Sequence, residues 1–370
     1  MLITEGGKKK KKKRKKKKRK EKKRNMVHKI HVAVLDTDAP MPSVYAARGL
    51  YSSQFRTLLQ AAAARVNDKR LLTSISEQVA VHTTAYDAVG HALPPLECLR
   101  THPRSTADDA PYGPLGPVDA ILITGSAASA YDRHKHTWIP ELQSFIQRVH
   151  TEYPLVKIFG SCFGHQIVAQ ALLSTACSVQ ACPDGYEIGI HPVKLTGEFT
   201  ARFAPLVPDL EVAKDSFRIQ LIHGDRVVPV QDQRHYPLPS PWINMGSTPL
   251  CPVQGLYLPR HVLTYQGHFE FDTVTNRETC LEFARRAGWS TSFLEAALAQ
   301  IDVAARNPVP GAVDSDHTRN ADDDDDDDDS KLAAEMVVLF FAGEDTADGS
   351  SVRPETGMIT PPLIELKAQS

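Results

Sequence analysis

Short apolar runs alternate along the first half of the chain with segments whose apolar positions recur every three or four residues. Residues 30–36, 79–86, 118–124 and 155–159 are β-branched or otherwise apolar runs that end in polar residues or turns, and they read as buried parallel strands. Between them, 51–66 places Phe55, Leu58, Leu59 and Ala62 on one helical face, and 138–150 does the same with Ile139, Leu142, Phe145, Ile146 and Val149. Pro40 and Pro42 break the chain after the first strand, and the proline-rich stretch 94–117 reads as a surface connection. Farther on, 187–195, 218–222 and two segments within 256–265 read as extended, and 275–287, 290–305 and 331–341 as helices. Strands alternating with helices predict an α/β fold with an open, mostly parallel sheet flanked by helices, whose ligands sit at the carboxyl ends of the strands.

Charge alters that picture only at the margins. The chain carries 43 Lys and Arg against 44 Asp and Glu, but the balance hides two opposed tracts. Lys8 to Arg24 is basic at every position except Glu21, and Asp322 to Asp329 is unbroken acid. Blocks of like charge repel themselves and bury nothing, so disorder is expected for 1–25, for a loop at about 308–329 and for a tail at 344–370, around a single domain at 27–343. Met26, directly after the basic tract, is expected to serve as a start for a chain lacking that tract. Without interleaved aromatics the tract supports at most nonspecific contact with nucleic acid, and no apolar run is long enough for a membrane span. Six cysteines without a C-x-x-C pair or zinc spacing point to a reducing compartment, the cytoplasm, or the nucleus if the basic tract acts as an address. Cys177 and Cys182 are expected to be structural thiols, and no cofactor or metal is expected.

Candidate chemistry concentrates in two places. In Gly160-Ser161-Cys162-Phe163-Gly164 a strand turns sharply into a helix with a cysteine at the apex, the geometry of a nucleophile elbow. A helix starting after Cys162 would aim N–H groups and its positive dipole end at the sulfur, favouring the thiolate. The alternative is a small core residue between packing glycines. A thiolate needs a base and an orienter, and Gln266-Gly267-His268-Phe269-Glu270 offers both: in extended backbone Glu270 projects to the same side as His268. His223 is expected to have a structural or loop-ordering role, His165 to pack, and His191 and His261 to be ordinary strand histidines.

Together with Ile121 to Ser126, Tyr131-Asp132 and His223-Gly224-Asp225, these blocks resemble the class I glutamine amidotransferase domain, of flavodoxin-like fold, from about residue 30 to residue 341. The resemblance implies Cys162 as nucleophile, His268 as proton shuttle and Glu270 as its orienter. It also implies the backbone N–H groups of Phe163 and Ser126 as an oxyanion hole, with Gln166 and Gly125 at the substrate. The implied partner is a small γ-glutamyl molecule, either glutamine or a γ-glutamyl peptide. With no G-x-x-x-x-G-K-[ST] motif, the chain resembles the stand-alone members related to the GMP synthase glutaminase domain and to γ-glutamyl peptidases. These act alone or supply ammonia to a separate synthetase. Phe269 stands where many members have proline, and Ser126 replaces the second glycine of a Gly-Gly pair. The competing readings are a DJ-1/PfpI-type cysteine hydrolase, in which a histidine follows the cysteine directly, and a noncatalytic binding protein on the same fold.

Overall fold

A computed structural model of the protein describes residues 27–69, 71–72, 78–104, 112–207, 216–230, 238–302 and 328–346. The basic segment with Met26, residues 308–327 of the acidic loop and the tail from 347 onward lie outside the described residues.

Strand β1 (Val27–Asp36) leads into helices α1 (Pro42–Arg48) and α2 (Tyr51–Lys69) and then strand β2 (Gln78–Asp87). The alternation continues through β3 (Ala120–Ile123), α3 (Trp138–Glu152), β4 (Lys157–Ser161) and α4 (Phe163–Leu172). Next come β5 (Cys177–Ala181), β6 (Glu187–Leu195), α5 (Gly197–Phe203), β7 (Ser216–His223) and β8 (Asp225–Pro229). The chain then forms β9 (Ile243–Asn244), β10 (Gly246–Ser247), β11 (Leu256–Leu258) and β12 (Val262–Tyr265). Helices α6 (Thr273–Ala287), α7 (Thr291–Ile301) and α8 (Ser330–Ala342) complete it.

The main sheet has seven strands in the order β2-β1-β3-β4-β12-β11-β9. The first five run parallel, β11 runs against them and β9 runs antiparallel to β11, so the expected open, mostly parallel sheet flanked by helices is the architecture. Because successive strand residues face opposite sides, Val32 and Val34 pack with α2 and α8 on one face, while Ala33 and Leu35 pack with α3 and α4 on the other. Two small antiparallel sheets, β10-β6-β7 and β5-β8, sit beside the main one.

The structure moves several expected boundaries. Pro42 does not merely break the chain: it opens α1, where a missing N–H costs nothing. The connection 94–117 is not confined to the surface, since buried Leu99 bridges Val118 and the buried Arg100 guanidinium donates to Asp119 at 2.5 Å. The fourth strand begins at Lys157, leaving Leu155 exposed, and runs to Ser161. His261 sits in the turn between β11 and β12, not in a strand.

The acidic loop ends before 329, because Asp329 exchanges two 2.6 Å hydrogen bonds with the backbone of Arg218. Nor does the fold stop at 343. The buried Asp345 carboxylate accepts from the Tyr257 hydroxyl at 3.0 Å and the Arg260 N–H at 2.8 Å.

Helix α8 is core, not appendage: residues Ala333 to Phe341 are all buried, and Glu335 pairs with Arg65 and Lys69 of α2 at 2.7 and 3.0 Å. Phe340→Ala is expected to cost about 3–5 kcal/mol of unfolding free energy by chemical denaturation. Stability close to wild type would show that the core does not depend on α8.

Candidate active site

Two glycines set the apex. A Cβ on Gly160 would lie 2.4 Å from the Gly164 carbonyl, and one on Gly164 would lie 2.3 Å from the Ile123 carbonyl oxygen. Only bare backbone allows α4 to start this close to β3 and β4. Cys162, between them, is held at φ 50° and ψ −103°, a conformation side-chain-bearing residues rarely adopt. Its N–H donates to the Tyr265 carbonyl at 2.8 Å, and its sulfur accepts from the Gln266 amide at 3.5 Å.

Strands β4 and β12 are neighbours in register, with Ser161 opposite Tyr265, so the segments that follow them leave the sheet side by side. His268 is fixed there through its N–H, which donates to the Gln220 carbonyl at 2.8 Å. The imidazole Nδ1 lies 2.7 Å from Glu270 Oε1, an oxygen that also accepts from the Ser161 hydroxyl at 2.9 Å. This contact makes Nδ1 the protonated nitrogen, and the Cys162 sulfur is the second group close enough to bear on the ring's charge. Burial works against charge on the ring, but the Glu270 carboxylate and the Cys162 sulfur outweigh it and push the imidazole up to about 10. Phe271 stacks on the ring at 4.1 Å. Phe269, in the place of the proline, anchors the turn by packing against Phe55 and Phe159 at 5.4 and 5.8 Å.

Gly125 is the third contributor: a Cβ there would lie 2.9 Å from His268 Cε1 and 3.6 Å from the Cys162 Cβ. Ser126 does not need the left-handed conformation that only glycine adopts freely, since it is not among the described residues with positive φ. Phe163 is the first residue of α4, so its N–H belongs to the group a helix leaves without an internal acceptor. Gln166, one turn on, donates to the Asp225 carbonyl and to Gln266, both at 3.2 Å.

Cys162, His268, Gly125, Ser126 and Gln166 line one cavity of about 500 Å³, whose wall also includes Asp38, Tyr131, Cys182, Tyr186 and His223. Of these wall residues, Asp38, Cys182 and Tyr186 went unnoticed as site residues in the sequence, and so did Gln266, which contacts the Cys162 sulfur. Asp38 follows the polar end of β1, the one signal that could have marked it.

The remaining cysteines and histidines differ in kind. All six cysteines are free. Burial pushes the thiols of Cys177, Cys251 and Cys280 up to about 11, 12 and 11, which leaves them unreactive. His165 is fully buried between the Thr264 hydroxyl and the Val253 carbonyl, and burial lowers it to about 3, a neutral packing residue. His223 reaches Glu187 at 3.2 Å and the Asp225 carbonyl at 3.0 Å, which ties β7 to β6 and β8. Among the described residues no cluster of ligands is arranged for a metal ion, and no helix is long and apolar enough to cross a membrane.

No family model matches the chain. A glutamine amidotransferase-like protein of Schizosaccharomyces pombe is 32% identical over 243 residues, spanning 66% of this chain and 80% of that protein. A Saccharomyces cerevisiae protein whose name assigns it provisionally to the glutamine amidotransferases is 34% identical over 156 residues, 41% of this chain and 53% of its own length. A crystallised glutamine amidotransferase from Thermotoga maritima superposes with a TM-score of 0.46 at 14% identity, covering 85% of this chain and 99% of that one.

Glu270→Gln is expected to lower the His268 pKa, because the first cause that raises it is removed. The folded ring titrates near 10 against 6.5 for the free side chain, so the pair stabilises the fold fully below about 6.5 and loses that contribution as the pH rises toward 10. An NMR titration of the His268 ring reads the change. A ring that titrates identically in the variant would show that Glu270 does not set its charge.

Proposed function

Since the chain belongs to the class I glutamine amidotransferase-like family, we propose that it hydrolyses a γ-glutamyl amide through a thioester on Cys162. The observation that carries this reading is the cysteine held at a left-handed apex, with its sulfur against an imidazole whose far nitrogen is bound to a buried carboxylate.

The proposed steps follow from those groups. The Cys162 thiolate, paired with the His268 imidazolium, attacks the γ-carbonyl carbon, and the carbonyl oxygen becomes an oxyanion. The N–H groups of Phe163 and Ser126 receive that charge, each worth about 10²- to 10³-fold in rate. The C–N bond breaks as the imidazolium gives its proton to the leaving ammonia or amine. Water then adds to the thioester, passing a proton to the neutral imidazole. When the S–C bond breaks, the glutamyl carboxylic acid leaves and gives its proton to solvent, and the thiolate–imidazolium pair is restored. Glu270 keeps the ring in the tautomer this exchange needs throughout. Glu270 and the excluded water also keep the charges strong, since Cys162, His268 and Glu270 are all buried.

The other thiols fit the reading by contrast. Burial holds the thiols of Cys177, Cys251 and Cys280 up, whereas the Cys162 sulfur has the His268 imidazole beside it.

Release of ammonia or amine from glutamine, a γ-glutamyl peptide and γ-glutamyl p-nitroanilide tests the proposal. Wild type is expected to turn over at least one of them, and Cys162→Ala to lose at least about 10⁴-fold in kcat. A thioester captured by hydroxylamine in wild type alone would support the covalent step. Turnover that needs an added synthetase marks an ammonia donor, and hydrolysis undiminished in Cys162→Ala would remove the nucleophile from the scheme.

A further inference from the structure

One peptide plane beside Cys162 departs from the geometry of the strand that leads to it. In extended backbone, successive residues turn their N–H and C=O to opposite sides of the strand. At the end of β3 both polar groups of Thr124 face β1: its N–H donates to the Leu35 carbonyl at 3.2 Å, and its carbonyl accepts from the Thr37 hydroxyl at 3.0 Å. Regular alternation would therefore turn the Gly125 carbonyl toward β4, the strand that delivers Cys162. Instead the Gly125 carbonyl also lies 3.0 Å from the Thr37 hydroxyl, on the β1 side.

A trans peptide is planar with its C=O and N–H opposed. The N–H of Ser126 is thus turned away from β1 and toward the β4 side, where Cys162 sits. The topology makes the two sides distinct, because β3 lies between β1 and β4 in the sheet.

From this arrangement we infer that Thr37 is a positioning residue: its hydroxyl latches the Gly125–Ser126 peptide in the orientation that presents the Ser126 N–H to the Cys162 side. The inference rests on the hydrolytic reading above for its catalytic consequence, but the latch itself is a statement about backbone orientation. Thr37 and Thr124 are both buried, so water does not replace the lost hydroxyl. The Thr37 hydroxyl lies 3.0 Å from the Thr124 and Gly125 carbonyl oxygens and from Thr124 Oγ1, whereas Thr124 Oγ1 is 3.4 Å from the Gly125 oxygen and holds it more weakly. Asp38 grips the next peptide, its carboxylate accepting from the Ala127 N–H at 2.8 Å and from the Ser126 hydroxyl at 3.4 Å. With the latch released, the peptide can return to strand alternation, which withdraws the N–H and aims a carbonyl oxygen at the place where negative charge develops.

Thr37→Val keeps the shape and removes the donor, Thr37→Ala removes it without an added methyl, and Thr37→Ser restores it. Crystal structures of the Val or Ala variant are expected to show the Gly125 carbonyl rotated off residue 37. On γ-glutamyl p-nitroanilide, kcat should fall about 10²-fold with KM changed less than about twofold, and Thr37→Ser should recover most of the rate. Alkylation of Cys162 by iodoacetamide should proceed as in wild type, since the nucleophile is untouched. A peptide that keeps its orientation in both Val and Ala variants, or a kcat within about threefold of wild type, overturns the latch. If wild type hydrolyses none of the substrates, the functional reading fails, and the carbonyl direction in the variant structures still decides the latch.

Discussion

The structure depends on a steric constraint: the first turn of α4 lies against β3 and β4 at a distance that only glycine permits. Gly160 and Gly164 remove the atoms that would collide with the Gly164 carbonyl and with the Ile123 carbonyl, and the chain between them has to reverse within three residues. Cys162 absorbs the reversal at φ 50°, a strain of about 1–3 kcal/mol for a residue with a Cβ. The surroundings hold it there. Phe163 packs on Trp138 at 5.3 Å, and His165 is hydrogen-bonded on both ring nitrogens to the β11–β12 region. Ile167 and Val168 are buried in the core shared with α3. The sulfur is therefore presented by a turn that cannot relax without unpacking the helix.

Electrostatics builds on that fixed point. Ser161 ends β4, and His268 and Glu270 lie just beyond the end of its neighbour β12 with the His268 backbone tied to Gln220 of β7, so their mutual distances are set by the sheets. Burial would ordinarily discharge an imidazole, yet here the carboxylate and the sulfur on either side overcome it. The stacked Phe271 and the aromatic cluster of Phe269, Phe159 and Tyr265 keep water from dividing those charges.

Much of this was legible in the sequence because the signals were local. Gly160-x-Cys162-x-Gly164 encodes its own turn, His268 and Glu270 are two residues apart, and the apolar runs at 30–36 and 79–86 could hardly be other than buried strands. What escaped notice depended on distant partners. Thr37 and Asp38 act on residues nearly ninety positions away, across a strand pairing that no local pattern displays. The β5–β8 pair escaped for a similar reason: both strands are short and only half-buried, so neither shows clean alternation. Proline misled in both directions, opening α1 at Pro42 and interrupting a stretch that still sends Leu99 into the core. The end of the fold was set too early because Asp345 looks like a tail residue until Tyr257 and Arg260 supply its partners.

The placement of α8 has a consequence for how the molecule is made. Its buried residues fill the same core as Phe55, Leu59, Ala62 and Val66 of α2, and Phe341 reaches Phe159 in the strand that carries the elbow. During synthesis the part of this core that α8 fills stays open until residues 330–342 have left the ribosome, long after the elbow itself has emerged. A nascent chain halted before residue 330 holds every catalytic candidate yet exposes a greasy flank to its neighbours, which makes it a client for chaperones rather than a working fragment.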